Sequence, residues 1–191
     1  AHISLLCAII IMDYAKLISE IKNKDFRPIY FLSGEEPFFI DKIVSLIEHT
    51  ALDEAERSIN QVVLYGADKD ISGIINEAKR YPMMAERVVV IVKEAQHLKN
   101  LESLEAYAEN PQTSTVLVFA YKYKKPDKRK KVFSILAKKH VLFESKKVYE
   151  NKINDWVVLM LKEHGLKASP KAVLMLAESL GTDLGRIDSE I

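Results

Sequence analysis

Gly34 follows a short apolar run at 28–33 (PIYFLS) and precedes a helical pattern, which is where a phosphate-binding loop would sit. Such a loop needs G-x-x-x-x-G-K-[ST]. Its glycines let backbone N–H groups close on a polyanion, and its lysine and hydroxyl reach phosphate and magnesium. From Gly34 the chain reads G-E-E-P-F-F-I-D. Phe39 stands for the second glycine, Ile40 for the lysine and Asp41 for the hydroxyl residue. Glu35 and Glu36 add two carboxylates, which repel a polyanion. The second signature of nucleotide-hydrolysing folds is an apolar strand ending in Asp-Glu, which holds magnesium and orients water. The run 88–94 reads V-V-V-I-V-K-E, with Lys93 in the aspartate's place and Glu94 read as a solvated strand end. Two defective signatures in the right order point to a nucleotide-binding core without its phosphate chemistry. The alternative is a divergent active P-loop ATPase or nucleotide kinase.

Other reactive side chains form no set. The histidines are His2, His49, His97, His140 and His164, and Glu94 with His97 makes one E-x-x-H, too few ligands for a metal site. No serine or cysteine has a base at a recognisable spacing. No G-x-G-x-x-G occurs, so a dinucleotide site has no support. No catalytic residue, metal or cofactor is therefore expected. Two binding motifs remain. Residues 122–131 carry seven cations, Lys122, Lys124, Lys125, Lys128, Arg129, Lys130 and Lys131, with Tyr121 and Tyr123 interleaved. Such a run can hold nucleic-acid phosphates. By composition it reads first as a solvated loop that opens a helix. Tyr81-Pro82-Met83-Met84 places two large apolar residues after a proline. By residue type this pair reads as core packing, although methionine also suits adaptable binding surfaces.

The elements that must position these residues follow from periodicity. Tyr14, Leu17, Ile18 and Ile21 lie on one helical face, as do Ile40, Ile43, Val44 and Ile47. Strands are expected at 28–33, 59–65, 87–92, 115–121 and 141–144, with helices between them around 71–78, 98–108 and 132–136. Strands alternating with helices imply a parallel α/β sheet, because parallel neighbours need crossover connections. Beyond Tyr149 only helical patterns follow: 153–161, then 172–180 behind a Ser169-Pro170 start, then one from Thr182 to the last residue. That last pattern has no stop signal, which points to a fragment of a longer protein.

Composition bounds the rest. The chain has 191 residues, 48% hydrophobic and 29% charged, with net charge +1 and one cysteine. These values describe a globular chain with no overall field for nucleic acid or membrane. One cysteine excludes an intrachain disulfide and fits a reducing compartment. The apolar opening AHISLLCAIII is too short to span a bilayer and lacks signal-peptide flanks. Met12 is read as the natural start, and residues 1–12 as a leader of upstream or non-native sequence.

Taken together, YFLSGEEPFFIDK at 30–42, YPMMAERVVVIVKEAQHL at 81–98, KKPDKRKKVF at 124–133 and GTDLGRIDSEI at 181–191 resemble the delta subunit of bacterial DNA polymerase III, the clamp-opening arm of the sliding-clamp loader. The resemblance covers 13–191 in order. It implies an AAA+ core of five parallel strands at 13–148 and a small all-helical lid at 149–191. It implies also a C-terminal collar domain that this chain lacks. It implies no ATPase activity in this subunit, which belongs to a nucleotidyltransferase holoenzyme in the bacterial cytoplasm. Its partners would be the sliding clamp (beta subunit), the other loader subunits and primer–template DNA, with no membrane. Met83 and Met84, flanked by Tyr81 and Pro82, match the apolar pair that the family inserts into the clamp. Methionines there depart from the family's leucine–phenylalanine type and lose aromatic area. Lys124, Lys125, Lys128, Arg129 and Lys130 become candidate DNA or partner contacts.

Overall fold

The computed structural model of the chain describes residues 14–191. The leader expectation, residues 1–12, lies outside the described residues. In chain order the elements are α1 (helical over 14–22), β1 (Ile29–Gly34), α2 (Pro37–Thr50), α3 (Glu54–Asn60), β2 (Gln61–Tyr65) and α4 (Ile71–Ala78). There follow β3 (Val88–Lys93), two 3-10 turns (Ala95–His97, Leu101–Leu104), α5 (Glu105–Glu109), β4 (Thr115–Lys122), α6 (Lys131–Lys139) and β5 (Val141–Ser145). A 3-10 turn (Glu150–Lys152), α7 (Ile153–Glu163), α8 (Pro170–Leu180) and α9 (Leu184–Glu190) complete the chain. The chain divides into two compact units, the first ending at Lys146 and the second spanning Lys147–Ile191.

The first unit is a five-stranded sheet in the order β2-β3-β4-β1-β5. Every pairing is parallel. The continuous Val, Ile and Phe runs of β1, β3 and β4 are buried because helices cover both faces. Ile29 and Phe31 of β1 and Leu117 and Phe119 of β4 share a core with Ile74 of α4 and with Phe133 and Leu136 of α6. Phe31 is its aromatic centre, with its ring 5.1 Å from Phe133 in a T-shaped arrangement and 5.6 Å from Phe119. On α2, Phe39, Ile40, Ile43, Val44 and Ile47 are buried, and the helix packs against β1, β3, β4 and β5. Tyr14 of α1 meets Phe39 edge-on at 4.9 Å.

Two local expectations are corrected. Ile59 and Asn60, read as the start of the second strand, end helix α3. Asp53 and Glu56 form a capping box there, with Asp53 N–H donating to Glu56 Oε2 at 2.9 Å. The 98–108 stripe is not one helix. Asn100 has φ 55°, and the backbone restarts there as a short 3-10 turn before α5. The second unit packs Trp156, Val157, Met160 and Leu161 of α7, Val173 and Ala177 of α8 and Leu184 and Ile187 of α9 out of solvent. Ser169 caps α8 by accepting the Ala172 N–H at 3.2 Å, with Pro170 in its first turn.

Candidate functional site

In open α/β sheets, ligands bind outside the carboxyl ends of the strands, where neighbouring connections diverge. Here that place is the end of β1, between β4 and β5. Only Glu35 and Glu36 separate β1 from α2, and Glu36 caps that helix by accepting the Phe38 N–H at 3.1 Å. Phe39 and Ile40 then point into the core. The positions of a phosphate loop's second glycine and lysine are therefore packing positions. Gly34 runs against β5: a Cβ there would lie 1.9 Å from the Ser145 carbonyl oxygen, and φ is 142°. Glu35 N–H donates to that same carbonyl at 3.0 Å, and Ser145 Oγ donates to the Glu36 carbonyl at 2.6 Å. Two surface ion pairs flank the β1 end, Lys122 with Asp41 and Lys125 with Glu35, the latter at 3.5 Å. The two carboxylates expected only to repel an anion instead hold a helix start and a lysine.

The end of β3 carries Lys93, half-buried, and Glu94, exposed with φ 53°. The Lys93 carbonyl accepts the Gly66 N–H at 2.9 Å, joining β3 to the turn after β2. His97 is exposed, and no cluster of three metal-ligating side chains occurs among the described residues.

The basic run folds into a web of carboxylates. Lys128 pairs with Glu144 at 2.5 Å, Lys130 with Glu102 at 2.7 Å, Arg129 with Asp127 at 2.8 Å and Lys131 with Glu105 at 3.8 Å. The Arg129 guanidinium, donating to the Asp127 carboxylate, lowers its pKa to about 2. The Lys128 ammonium likewise lowers Glu144, and Lys130 lowers Glu102. Lys124 and Tyr123 are exposed, and Tyr123 takes φ 64° as its N–H donates to the Gly34 carbonyl at 2.9 Å.

The loop between α4 and β3 behaves differently. Met83 is 59% exposed and Met84 97%, with Tyr81 exposed and Pro82 half-buried. Exposure overturns the core-packing reading of this pair. The loop is nevertheless held. Asn60, only 3% exposed at the end of α3, accepts the Met83 N–H on Oδ1 at 2.7 Å and donates from Nδ2 to the Met83 carbonyl at 2.9 Å. Its Nδ2 also donates to the Glu56 carbonyl at 3.2 Å, tying the amide to its own helix. Met84 has φ 55°, a left-handed conformation unusual for a side chain of this size. The root of the loop is fixed as well: the Ala78 carbonyl accepts from Thr115 Oγ1 at 2.8 Å and from Tyr107 Oη at 3.2 Å. On the other side Arg87 lies over the Phe26 ring at 4.8 Å. Asn60 was missed in sequence because it stood inside a presumed strand. The Asp53-x-x-Glu56 box was the signal that could have placed it at a helix end.

The family model "DNA polymerase III, delta subunit" matches residues 30–146. The DNA polymerase III subunit delta of Bacillus subtilis (strain 168) is 29% identical over 170 residues, covering 82% of this chain and 49% of that protein. The solved DNA clamp loader delta protein of Bacillus subtilis superposes with a TM-score of 0.81 at 25% identity, over 93% of this chain and 55% of that one. The chain thus spans about half the length of these relatives. A parallel sheet in the order β2-β3-β4-β1-β5, followed by a helical unit and matched along most of its length, makes this chain a member of the DNA polymerase III delta subunit family.

Proposed function

We propose that this chain is the clamp-gripping arm of a bacterial clamp loader and that it works without ATP of its own. The observation that carries the reading is the Met83–Met84 pair, apolar, exposed and backbone-locked at the tip of a loop. A few apolar side chains entering a desolvated pocket dominate most interfaces, each worth about 2 kcal/mol or more on truncation. Unbranched thioether chains adapt to such a pocket. A grip that fits the opened ring interface better than the closed one shifts the ring toward opening, because a ligand moves an equilibrium only by its differential affinity.

The second half of the proposal rests on the partners already taken by the polar groups at the end of β1. A phosphate chain needs backbone N–H groups and cations free to converge on it. At the end of β1 the Glu35 N–H is taken by Ser145, the Phe38 N–H by Glu36, and Lys122 and Lys125 by carboxylates. Timing is therefore assigned to nucleotide on partner subunits of the loader. The core at 13–148, the lid at 149–191 and the cytoplasmic setting belong to the same proposal. The carboxylate pairing of the basic run supports a solvated, self-neutralised surface there.

The test is a Met83→Ala/Met84→Ala variant of the full chain, measured for binding to the sliding clamp of the same organism and for melting temperature. Exposed side chains contribute little to folding, so melting should stay within about 2–4 °C of the parent, equivalent to roughly 1 kcal/mol. Clamp binding should fall at least 30-fold, about 2 kcal/mol. Full clamp binding by the double variant sinks the proposal. So does micromolar binding of a fluorescent ATP analogue to the parent chain.

A further inference from the structure

We infer that Asn60 is the positioning residue of the clamp-gripping loop, an inference that rests on the reading of Met83 and Met84 as the grip. A loop that presents two large apolar side chains to water has a competing option, which is to turn them inward. The segment 79–87 has one proline and no glycine, and neither feature decides which way Met83 and Met84 face. The restraint comes from another element. The Asn60 carboxamide engages both polar groups of one peptide residue, accepting from Met83 N–H at 2.7 Å and donating to the Met83 carbonyl at 2.9 Å.

These bonds have the pattern that a strand neighbour would make, delivered by a side chain. The second Nδ2 hydrogen goes to Glu56 at 3.2 Å, so the carboxamide is fixed on α3 and cannot swing with the loop. Because Asn60 is almost wholly buried, these bonds do not compete with bulk water. The next residue, Met84, can then stand outward in its left-handed conformation. Such conformations persist only where the surroundings over-determine them. The physical consequence is preorganisation: loss of the Asn60 bonds lets the loop sample states that cannot dock, and apparent affinity falls with the docking-competent fraction.

The chemistry separates three substitutions. Asn60→Ala removes every bond. Asn60→Asp keeps an acceptor for the Met83 N–H and loses the donor to the Met83 carbonyl. Ile135 lies on α6, which packs on β5 at the opposite sheet edge from β2. Its truncation to Val or Ala, whichever matches the denaturation midpoint of Asn60→Ala, reports what lost stability alone does.

All variants are compared in the full chain with Met83→Ala/Met84→Ala, by equilibrium binding to the clamp well below the melting transition and by hydrogen exchange at the Met83 amide. A docking-competent fraction of about one tenth gives about a tenfold loss of affinity for Asn60→Ala. Its Met83 amide should exchange faster, whereas the Ile135 control keeps parental affinity and protection. Asn60→Asp should also lose affinity, because its second carboxylate oxygen faces the Met83 and Glu56 carbonyls in a buried site. Equal losses in Asn60→Ala and the Ile135 control overturn the inference. So does parental affinity in Asn60→Ala while the methionine double variant has lost binding. Parental binding by the double variant instead removes the grip reading itself, a result distinct from both. If Asn60→Ala does not fold, Asn60→Asp decides alone: parental affinity despite the lost carbonyl bond rejects the role.

Discussion

Replacing Ile40 with lysine restores the side chain that a phosphate loop depends on most, at the position where that loop would carry it. If the fold retained a latent nucleotide site, the change should create affinity. The geometry predicts damage instead. Ile40 is fully buried on α2, against the sheet. Its replacement forgoes about 1.5–3 kcal/mol of apolar burial. It also places an ammonium in the core, where an unpaired charge costs several kcal/mol even after relaxation. Snorkelling relieves part of this where a long side chain can reach water. A net loss of about 5 kcal/mol is a large part of the 5–15 kcal/mol that holds a domain together. At about 2–4 °C per kcal/mol for a chain of this length, melting should fall by about 10–20 °C. Asp41→Thr is the internal contrast. It restores the hydroxyl at an exposed site and breaks only the surface pair with Lys122, worth about 0–1 kcal/mol. Thermal melts by circular dichroism, with and without magnesium-ATP, read both. If Ile40→Lys melts within about 3 °C of the parent, or gains micromolar ATP affinity, the argument that this crevice became core is wrong.

Three further outcomes are expected. Gly34→Ala should destabilise the chain by more than about 2 kcal/mol in denaturant titration, because its Cβ meets the Ser145 carbonyl and its φ is 142°. Lys124→Glu with Lys128→Glu should leave the salt slope of primer–template association at the parental value, since most of the run already faces carboxylates. A slope flattened by about two would make the run a DNA contact. Lys128→Met should return the Glu144 pKa toward the ordinary carboxylate range, seen by NMR titration. In the parent that lowered value makes a contribution present above the unfolded pKa and lost as pH falls through the folded one, so the variant's stability should depend less on pH on the acid side.

The strands were readable because a parallel sheet covered on both faces requires uninterrupted apolar runs, and 28–33, 87–92 and 115–121 are such runs. The missing phosphate chemistry was readable because it is a matter of residue types at fixed spacing. Two things were not. Ile59 and Asn60 adjoin the β-branched run of β2 and took on its apparent character, hiding a seven-residue helix whose evidence was one capping box. The exposure of Met83 and Met84 was hidden from residue type alone, and only the family resemblance pointed to it, because composition cannot say which way a loop faces. That is decided by Asn60, 23 residues earlier in the chain, through two bonds that have no local signature.

The Ala78 carbonyl holds a mechanical meaning. A lever is only as stiff as its fulcrum, and a tip pushed into a ring feels the ring push back. On the proposed reading, that reaction force would reach the end of α4, where the hydroxyls of Thr115 and Tyr107 both donate to one carbonyl oxygen. Thr115 opens β4, a strand flanked on both sides by others, so such a load would spread into the middle of the sheet instead of bending a free edge. Thr115→Val should leave the tip intact and soften its mounting.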